Sequence, residues 1–136
     1  MADVGAALHA HLIADGTLTA LLGTYVGVAA IFTDTVPETP PARYIVISPV
    51  VTTPELSTKN TAGRTEVLDV ACYDATGDDD STTVLAIAER VAVLVERVKV
   101  TVPGLTPIKG AHLGTITNDG PEILGRVVQV EMGFSD

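Results

Sequence analysis

Three consecutive aspartates, Asp78–Asp80, stand between a strand-like and a helix-like segment and are the stretch of the chain whose residue types look most reactive. Carboxylates at this density could hold a hard cation such as Ca²⁺, which takes oxygen ligands from a loop of fixed spacing. A calcium loop that began at Asp74 would place Asp79 where glycine is needed, and one that began at Asp78 would place Thr83 there. The calcium pattern therefore fails in both registers.

The same aspartates fit the start of a helix better. Asp80, Ser81 or Thr82 could accept hydrogen bonds from the free amides of a first helical turn. Their negative charge would also face the positive end of the helix macrodipole. We interpret the acidic cluster as the beginning of a helix and predict no metal there.

The histidines and the cysteine do not form a recognisable site. His9 and His11 are two residues apart on a predicted helix, so their side chains do not face each other. His112 is isolated in a predicted strand. Cys72 is the only cysteine, which excludes a disulfide, and its position in the middle of a strand predicts a buried thiol.

Asp69 and Tyr73 share one face of a predicted strand and could in principle act with a histidine. The sequence offers no nucleophile with an orienting partner, which a catalytic triad requires. It also contains no Gly-x-Ser-x-Gly, Walker, His-Glu-x-x-His or Gly-x-Gly-x-x-Gly motif. We therefore expect no enzyme and no cofactor.

The hydrophobic pattern predicts the elements that would position these residues. Its order is helix, short helix, three strands, helix, two strands. The predicted elements are a helix within 2–16 capped by Asp3, a short helix 18–23 capped by Thr17, strands 28–32, 43–53 and 64–74, a helix 82–98, and two strands within 107–117 and 124–134.

Three details of this pattern carry further predictions. Pro49 removes one backbone donor, which favours a sheet edge or a bulge at that point. The proline-containing stretch 34–42 and the polar stretch 54–63 are predicted loops. The sequence Asn-Asp-Gly-Pro-Glu at 118–122 predicts a hairpin turn.

Alternation assigns side chains to faces. Leu68, Val70 and Cys72 should point to one face of their strand and Val67, Asp69, Ala71 and Tyr73 to the other. One side of the helix 82–98 is apolar and should face the sheet: Val84, Ile87, Ala88, Val91, Leu94, Val95 and Val98. In the last strand Val128, Val130, Met132 and Phe134 should alternate with Val127, Gln129, Glu131 and Gly133. The fold class that follows is α+β, with a mainly antiparallel sheet of about four to five strands covered by an N-terminal helix and one long helix.

Bulk properties narrow the class of protein. The 136 residues predict one domain, 1–136, and 46% hydrophobic residues supply its core. The net charge is −9 and no two of the eight Lys and Arg residues are adjacent, so no phosphate-binding patch is expected. No basic segment precedes an apolar run at the N-terminus, so we expect no signal peptide, and the longest apolar run is too short to cross a bilayer.

Five segments, taken in order, resemble one family. They are "ALHAHLIADGTLTALLG" (7–23), "VPETPPARYIVI" (36–47), "EVLDVACYD" (66–74), "VLAIAERVAVLV" (84–95) and "GRVVQVEMGF" (125–134). Together they resemble the tail-completion, or tail-terminator, proteins of long-tailed (siphovirus-type) bacteriophages. The segment "YVGVAAIF" (25–32) departs from that pattern.

The resemblance implies a structural virion protein that forms a ring, commonly a hexamer, at the head-proximal end of the tail. Such a ring would stop tube growth and join the tail to the head. Its implied partners are further copies of itself, the major tail-tube protein and a head-completion or connector protein. DNA would pass through the lumen without specific binding, the chain would be assembled in the host cytoplasm, and no membrane would be involved.

Two loops, 33–43 and 52–64, are predicted to be the contact arms of such an assembly because they are polar and stiffened by proline. The residues we predict to take part are Pro37, Pro40, Pro41, Arg43, Glu55, Lys59, Asn60 and Arg64. Two alternatives remain at this point: another head–tail joining or adaptor subunit, and a small cytosolic ligand-binding or catalytic α/β domain. An enclosed pocket with convergent polar groups would favour the second alternative.

Overall fold

The structure is a computed structural model that describes residues 4–54, 63–76, 81–96, 106–107, 111–117, 119 and 123–135. The predicted Asp3 cap, the aspartates Asp78–Asp80 and Val98 lie outside the described residues. The helices are α1 (Val4–Ile13), α2 (Gly16–Thr19) and α3 (Thr82–Val95), and the strands are β1 (Thr24–Tyr25), β2 (Val28–Ala29), β3 (Ile31–Thr33), β4 (Arg43–Pro54), β5 (Gly63–Asp74), β6 (Thr106–Pro107), β7 (Ala111–Thr117) and β8 (Leu124–Ser135).

The main sheet has six strands. β3, β4, β5 and β8 are adjacent in that order, and both β6 and β7 pair with the other edge of β8. The 12-residue strand β5 pairs antiparallel with β4 on one side and with β8 along its whole length on the other. β7 pairs antiparallel with β8, which confirms the hairpin predicted around 118–122. The register of β4 shifts between Pro49 and Val51, which confirms the bulge expected at Pro49. The predicted α+β fold class is confirmed.

One strand pair differs from the antiparallel prediction, because β3 runs parallel to β4, with Ile31 opposite Ile45 and Thr33 opposite Ile47. The segment between them, residues 34–42, is long enough for an extended chain to run back past a three-residue strand, at about 3.3 Å per residue. Prolines in this segment keep the chain extended, so it returns to the start of β4 without forming a tight turn.

The predicted strand 28–32 is also wrong, because the structure splits it at Ala30. Its first part, β2, folds back on β1 through a tight turn at Val26 and Gly27, whose φ angles are 52° and 81°. Two consecutive left-handed residues define the type I′ turn that matches the twist of a hairpin. Glycine adopts this conformation readily, whereas valine does so rarely, so the Val-Gly pair hid the turn in the sequence.

The three helices lie on one face of the sheet, and the core fills the space between them. The core is aliphatic apart from Cys72 and Met132, and no aromatic side chain belongs to it among the described residues. The predicted alternation in β5 and β8 is confirmed where side chains are described, and the side chain of Phe134 lies outside that set. The buried side chains of these two strands are Leu68, Val70, Cys72, Val128, Val130 and Met132.

Helix α3 presents the predicted apolar side to the sheet, with Val84, Ile87, Ala88, Val91 and Val95 buried and Leu94 partly buried. The helix ends at Val95 and not at 98, because Glu96 takes an extended backbone conformation with ψ of 118°. Ser81 is the N-cap residue, but its side chain makes no capping hydrogen bond. No helix in the described ranges has the length and apolar character needed to span a membrane.

A single carboxylate joins α1, α2 and α3. Asp15 Oδ2 accepts a hydrogen bond of 2.8 Å from the Leu18 amide and so caps α2, which corrects the prediction that Thr17 would do this. Arg90 of α3 donates to the same carboxylate from two guanidinium nitrogens, Nε to Oδ2 at 2.9 Å and Nη2 to Oδ1 at 2.8 Å. The Arg90 guanidinium and the Leu18 amide lower the pKa of Asp15 from 3.8 to about 2.

We expect Asp15→Asn to lower the free energy of unfolding at neutral pH while keeping the α2 cap, because Asn is also a good N-cap residue. The folded-state pKa is below the unfolded value, so the carboxylate stabilises the fold above about pH 4 and loses that effect as the pH falls toward about 2. Urea unfolding of both proteins across this range should show the deficit of the variant shrinking with acid. A deficit that is the same at pH 2 and pH 7 would contradict the prediction.

Gly23 is a point of close approach between the first third of the chain and the start of β4. Its amide donates to the Arg43 carbonyl at 2.9 Å, and its carbonyl accepts from the Ala30 amide at 2.9 Å. A Cβ atom at this position would lie 2.6 Å from Cβ of Pro41. The glycine therefore lets Pro41 pack directly on the backbone.

We expect Gly23→Ala to destabilise the fold by about 1–3 kcal/mol, the range for forcing one extra carbon into a packed site. Gly16→Ala is the matched control because nothing lies within 4 Å of the added carbon. That control should be neutral or stabilising by up to about 1 kcal/mol. Chemical denaturation measures both, and equal effects at the two glycines would show that the Pro41 contact is unimportant.

Candidate interaction surface

The two described histidine side chains both bind backbone carbonyls. His9 Nε2 donates to the Ile31 carbonyl at 2.8 Å, and His11 Nε2 donates to the Leu94 carbonyl at 2.7 Å. A carbonyl oxygen only accepts, so each Nε2 carries a hydrogen. These histidines tie α1 to β3 and to the end of α3, and they do not converge on one point.

Asp69 and Tyr73 are not brought together either. They lie four residues apart on β5, which is about 13 Å along a strand. Burial raises the pKa of the Cys72 thiol to about 12, so this cysteine remains protonated at neutral pH. Within the described ranges, no three His, Cys, Asp or Glu residues are grouped closely enough to hold a metal ion.

Four aromatic residues form a connected row on the sheet face that carries none of the described helices, here called the open face. Tyr25 and Phe32 meet with ring centroids 5.5 Å apart, Phe32 and Tyr44 at 6.1 Å, and Tyr44 and Tyr73 at 5.2 Å. These four residues are the aromatic row, and they include every tyrosine of the chain and one of its two phenylalanines. Burial and the neighbouring Tyr73 raise the pKa of Tyr44.

A second row of apolar residues shares Phe32 with the aromatic row and crosses the open face from one edge of the sheet to the other. The strand registers align its members in adjacent strands: Phe32, Val46, Ala71, Val127 and Ile116. Val46 is only 8% exposed although none of the described helices covers it, and Ile116 at the far edge is 53% exposed. A solvated sheet face normally carries polar residues at such positions, so this face has the composition of a contact surface.

A polar stripe borders the apolar rows and consists of Ser48, Asp69 and Gln129, which are opposite one another in β4, β5 and β8. Oδ1 of Asp69 is shielded from solvent and has no hydrogen-bond partner among the described residues. A buried oxygen without a partner is costly in an isolated chain. The position of Asp69 on the open face makes it a candidate to meet a donor from a neighbouring molecule.

At the β3 edge of the sheet, the aromatic row leads into an open groove of about 450 Å³ between α1, the β1–β2 hairpin and the segment after β3. We call it the edge groove. Its lining is mainly apolar and includes Ile13, Phe32, Val36 and Pro37. Its polar side chains are few, and one of them, His9, already uses its Nε2 on the Ile31 carbonyl.

The residues predicted for the first arm lie in two different environments. Pro37 lines the edge groove, and Pro40 is half-buried. Pro41 packs on Gly23, and Arg43 Nε lies 3.4 Å from Oδ2 of the buried Asp74. The structure thus gives Pro41 and Arg43 contacts within the chain and leaves Pro37 at the groove.

Most of the second arm lies outside the described residues. Glu55, Lys59 and Asn60 fall between β4 and β5, in the range that is not described. Arg64 belongs to β5, where it is opposite Pro54 and Phe134. The role of these residues in partner contacts stays a prediction.

Sequence reasoning missed the aromatic row. Its members come from four strands, and the alternation of residues in the sequence assigns only Tyr73 to a face. One signal is the low aromatic content of 4%, which indicates a core built from aliphatic residues. Tyrosines in predicted strands are then expected on a face that points away from the core. Proteins that assemble with others concentrate aromatic residues in such surfaces.

The fold and this surface define a small α+β protein with a broad apolar sheet face. The family model "Tail completion protein gp17" matches residues 6–112, so the chain belongs to that family of phage tail proteins. It is a structural protein of the virion tail.

Solved structures share the fold. A chain from the virion of a native gene transfer agent particle is 19% identical, with a TM-score of 0.81, and the match covers 98% of this chain and 95% of that one. A second solved chain is 14% identical, with a TM-score of 0.62 and coverage of 96% and 92%. No curated protein matches in sequence.

We expect the Tyr44–Tyr73 contact to contribute about 0.5–1.5 kcal/mol beyond simple burial, the range for a paired aromatic contact. A double-mutant cycle of Tyr44→Leu and Tyr73→Leu, measured by urea unfolding, would give this coupling energy. Tyr25→Leu with Tyr73→Leu is the matched control, because those rings are separated by two others and should be additive within about 0.5 kcal/mol. Additivity in the first cycle would refute the contact.

Proposed function

We propose that this protein forms a ring, a hexamer in our interpretation, at the head-proximal end of the phage tail. There it ends the growth of the tail tube and joins the tail to the head. Its partners are further copies of itself, the major tail-tube protein and a head-completion or connector protein. Membership of the tail completion family is the observation that carries this proposal.

The open face supports a role in assembly. It carries two apolar rows with four aromatic rings on one side of a thin two-layer fold. Aromatic residues in such rows supply most of the binding energy in many protein interfaces. The partly buried Asp69, whose Oδ1 has no partner within the described part of the chain, offers a polar anchor beside them.

The charge of the chain supports passage of DNA without specific binding. A net charge of −9 gives no overall attraction to phosphate, and the eight Lys and Arg residues are dispersed along the sequence. A ring built from such subunits would let DNA slide through its lumen during ejection.

A head–tail adaptor subunit at a neighbouring position is the second candidate. It would share the fold and the virion location and would differ only in which partner it meets. The ligand-binding alternative has less support, because the edge groove is open and its lining offers few polar groups to orient a small molecule.

The test is to add the purified protein to polymerising tail-tube protein and to image the products by negative-stain electron microscopy. We expect tubes that carry a ring at one end only and that stop growing, so that mean tube length falls as the protein concentration rises. Tubes of unchanged length without a terminal ring would overturn the terminator assignment. Binding to the head connector in that case would favour the adaptor.

A matched pair of variants tests the open face in the same assay. Ile116→Glu places a charge on the open face, and Val93→Glu places one on the outer side of α3, at side chains that are 53% and 62% exposed. We expect Ile116→Glu to lose at least tenfold in capping while Val93→Glu retains it, because a buried unpaired charge in an interface costs several kcal/mol. The reverse result would assign the contact to the helix layer.

A further inference from the structure

We infer that the edge groove of one copy receives the β7 edge of the next copy, so that Val36 and Pro37 of one chain contact Leu113 and Ile116 of its neighbour. This inference rests on the proposed ring and names the surfaces that would build it. The occupant of the groove is therefore a second copy of this chain, in a head-to-tail arrangement.

The exposed apolar side chains are concentrated at the two opposite edges of the sheet. Val26, Val28 and Val36, which are 85%, 57% and 40% exposed, line the edge groove beside β3. Leu113 and Ile116, which are 50% and 53% exposed, lie on β7 at the far edge. Of the seven large apolar residues that are exposed in the described part of the chain, five are thus at these two edges.

The hairpin beside the groove places valine in an unfavourable position. Val26 has a φ of 52° and is 85% exposed, so it combines a backbone conformation that valine rarely adopts with an apolar side chain in solvent. Asparagine is the usual residue at this position of such a turn, and its polar side chain would be hydrated there. An apolar contact with a neighbouring copy accounts for valine where the isolated chain does not.

The contact is made by side chains and is not an extension of the sheet. The Ala30 carbonyl accepts from the Ile45 amide of β4, so by alternation the Ile31 carbonyl points away from β4. His9 Nε2 already occupies that carbonyl at 2.8 Å. A neighbouring strand therefore finds this acceptor occupied, while the apolar groove beside it remains open.

Charge disfavours a contact between two copies of the same groove. The carboxylates of Asp34 and Glu38 are exposed and flank the groove-lining residues Thr35, Val36 and Pro37. β7 (Ala111–Thr117) contains no acidic residue. Groove against groove would bring like charges together, whereas groove against β7 avoids this repulsion.

The two surfaces lie at opposite edges of one sheet, so each copy offers its edge groove to one neighbour and its β7 edge to another. Such a heterologous contact repeats around a ring and closes when the rotation per subunit divides a full turn. A contact between identical surfaces would stop at a dimer.

The test uses single-cysteine additions in the full chain and a short bis-maleimide. The native Cys72 can be kept, because it is buried and its thiol is unreactive at neutral pH. Val36→Cys and Ile116→Cys proteins, distinguished by tags of different length, are mixed on tail tubes and cross-linked. The control mixes Val36→Cys with Leu85→Cys, which is 42% exposed on α3.

We expect the 36–116 product to exceed the 36–36, 116–116 and 36–85 products by at least tenfold. A chain that carries both cysteines should give a ladder that ends at the ring number. Rings on the tubes without a preferred 36–116 product would overturn this inference and leave the proposed function intact. A preferred 36–116 product without rings on tubes would uphold the contact and refute the terminator role, and the absence of both would overturn both.

Discussion

The structure depends on a sheet that carries apolar residues on both faces, while the described helices cover only one of these faces. The three 12-residue strands β4, β5 and β8 hold one another by long antiparallel ladders, so the alternation of their side chains is fixed. One set of alternate residues packs under α1, α2 and α3 as an aliphatic core. The other set places aromatic and β-branched residues on the open face, which none of the described helices covers.

Two polar contacts in the helix layer join segments that are far apart in sequence. Asp15 joins the start of α2 to Arg90 of α3, and His11 joins α1 to the carbonyl of Leu94. These bonds orient α1 and α2 against α3 while the apolar core supplies most of the stability. Residues 4–30 are thereby held in place, and several of them line the edge groove.

The sequence predicted the parts of the fold that follow from periodicity. The burial of Leu68, Val70 and Cys72 on β5 and of one side of α3 follows from spacing alone, because every second or every third to fourth residue is apolar there. The parallel β3, the hairpin at Val26 and the Asp15 cap were not predictable in this way. Each depends on a contact with a distant segment or on a backbone conformation that is unusual for its residue.

The candidate site was harder to predict than the fold. Proline-rich composition marked 34–42 correctly as a region of irregular structure, but it did not distinguish Pro37, which lines the groove, from Pro41, which packs on Gly23. The aromatic row is assembled from four strands, so no local pattern contains it. Resemblance over the whole chain identified the family, because it relied on the order of many weak segments and not on one motif.

The placement of the tyrosines has a spectroscopic consequence. The chain has no tryptophan, and its three tyrosines all lie in the aromatic row. Tyrosine absorption and emission from this protein therefore originate at the surface where it would meet its neighbours, and the described core contributes none of it. Intrinsic tyrosine emission is thus a label-free optical probe of docking on that surface.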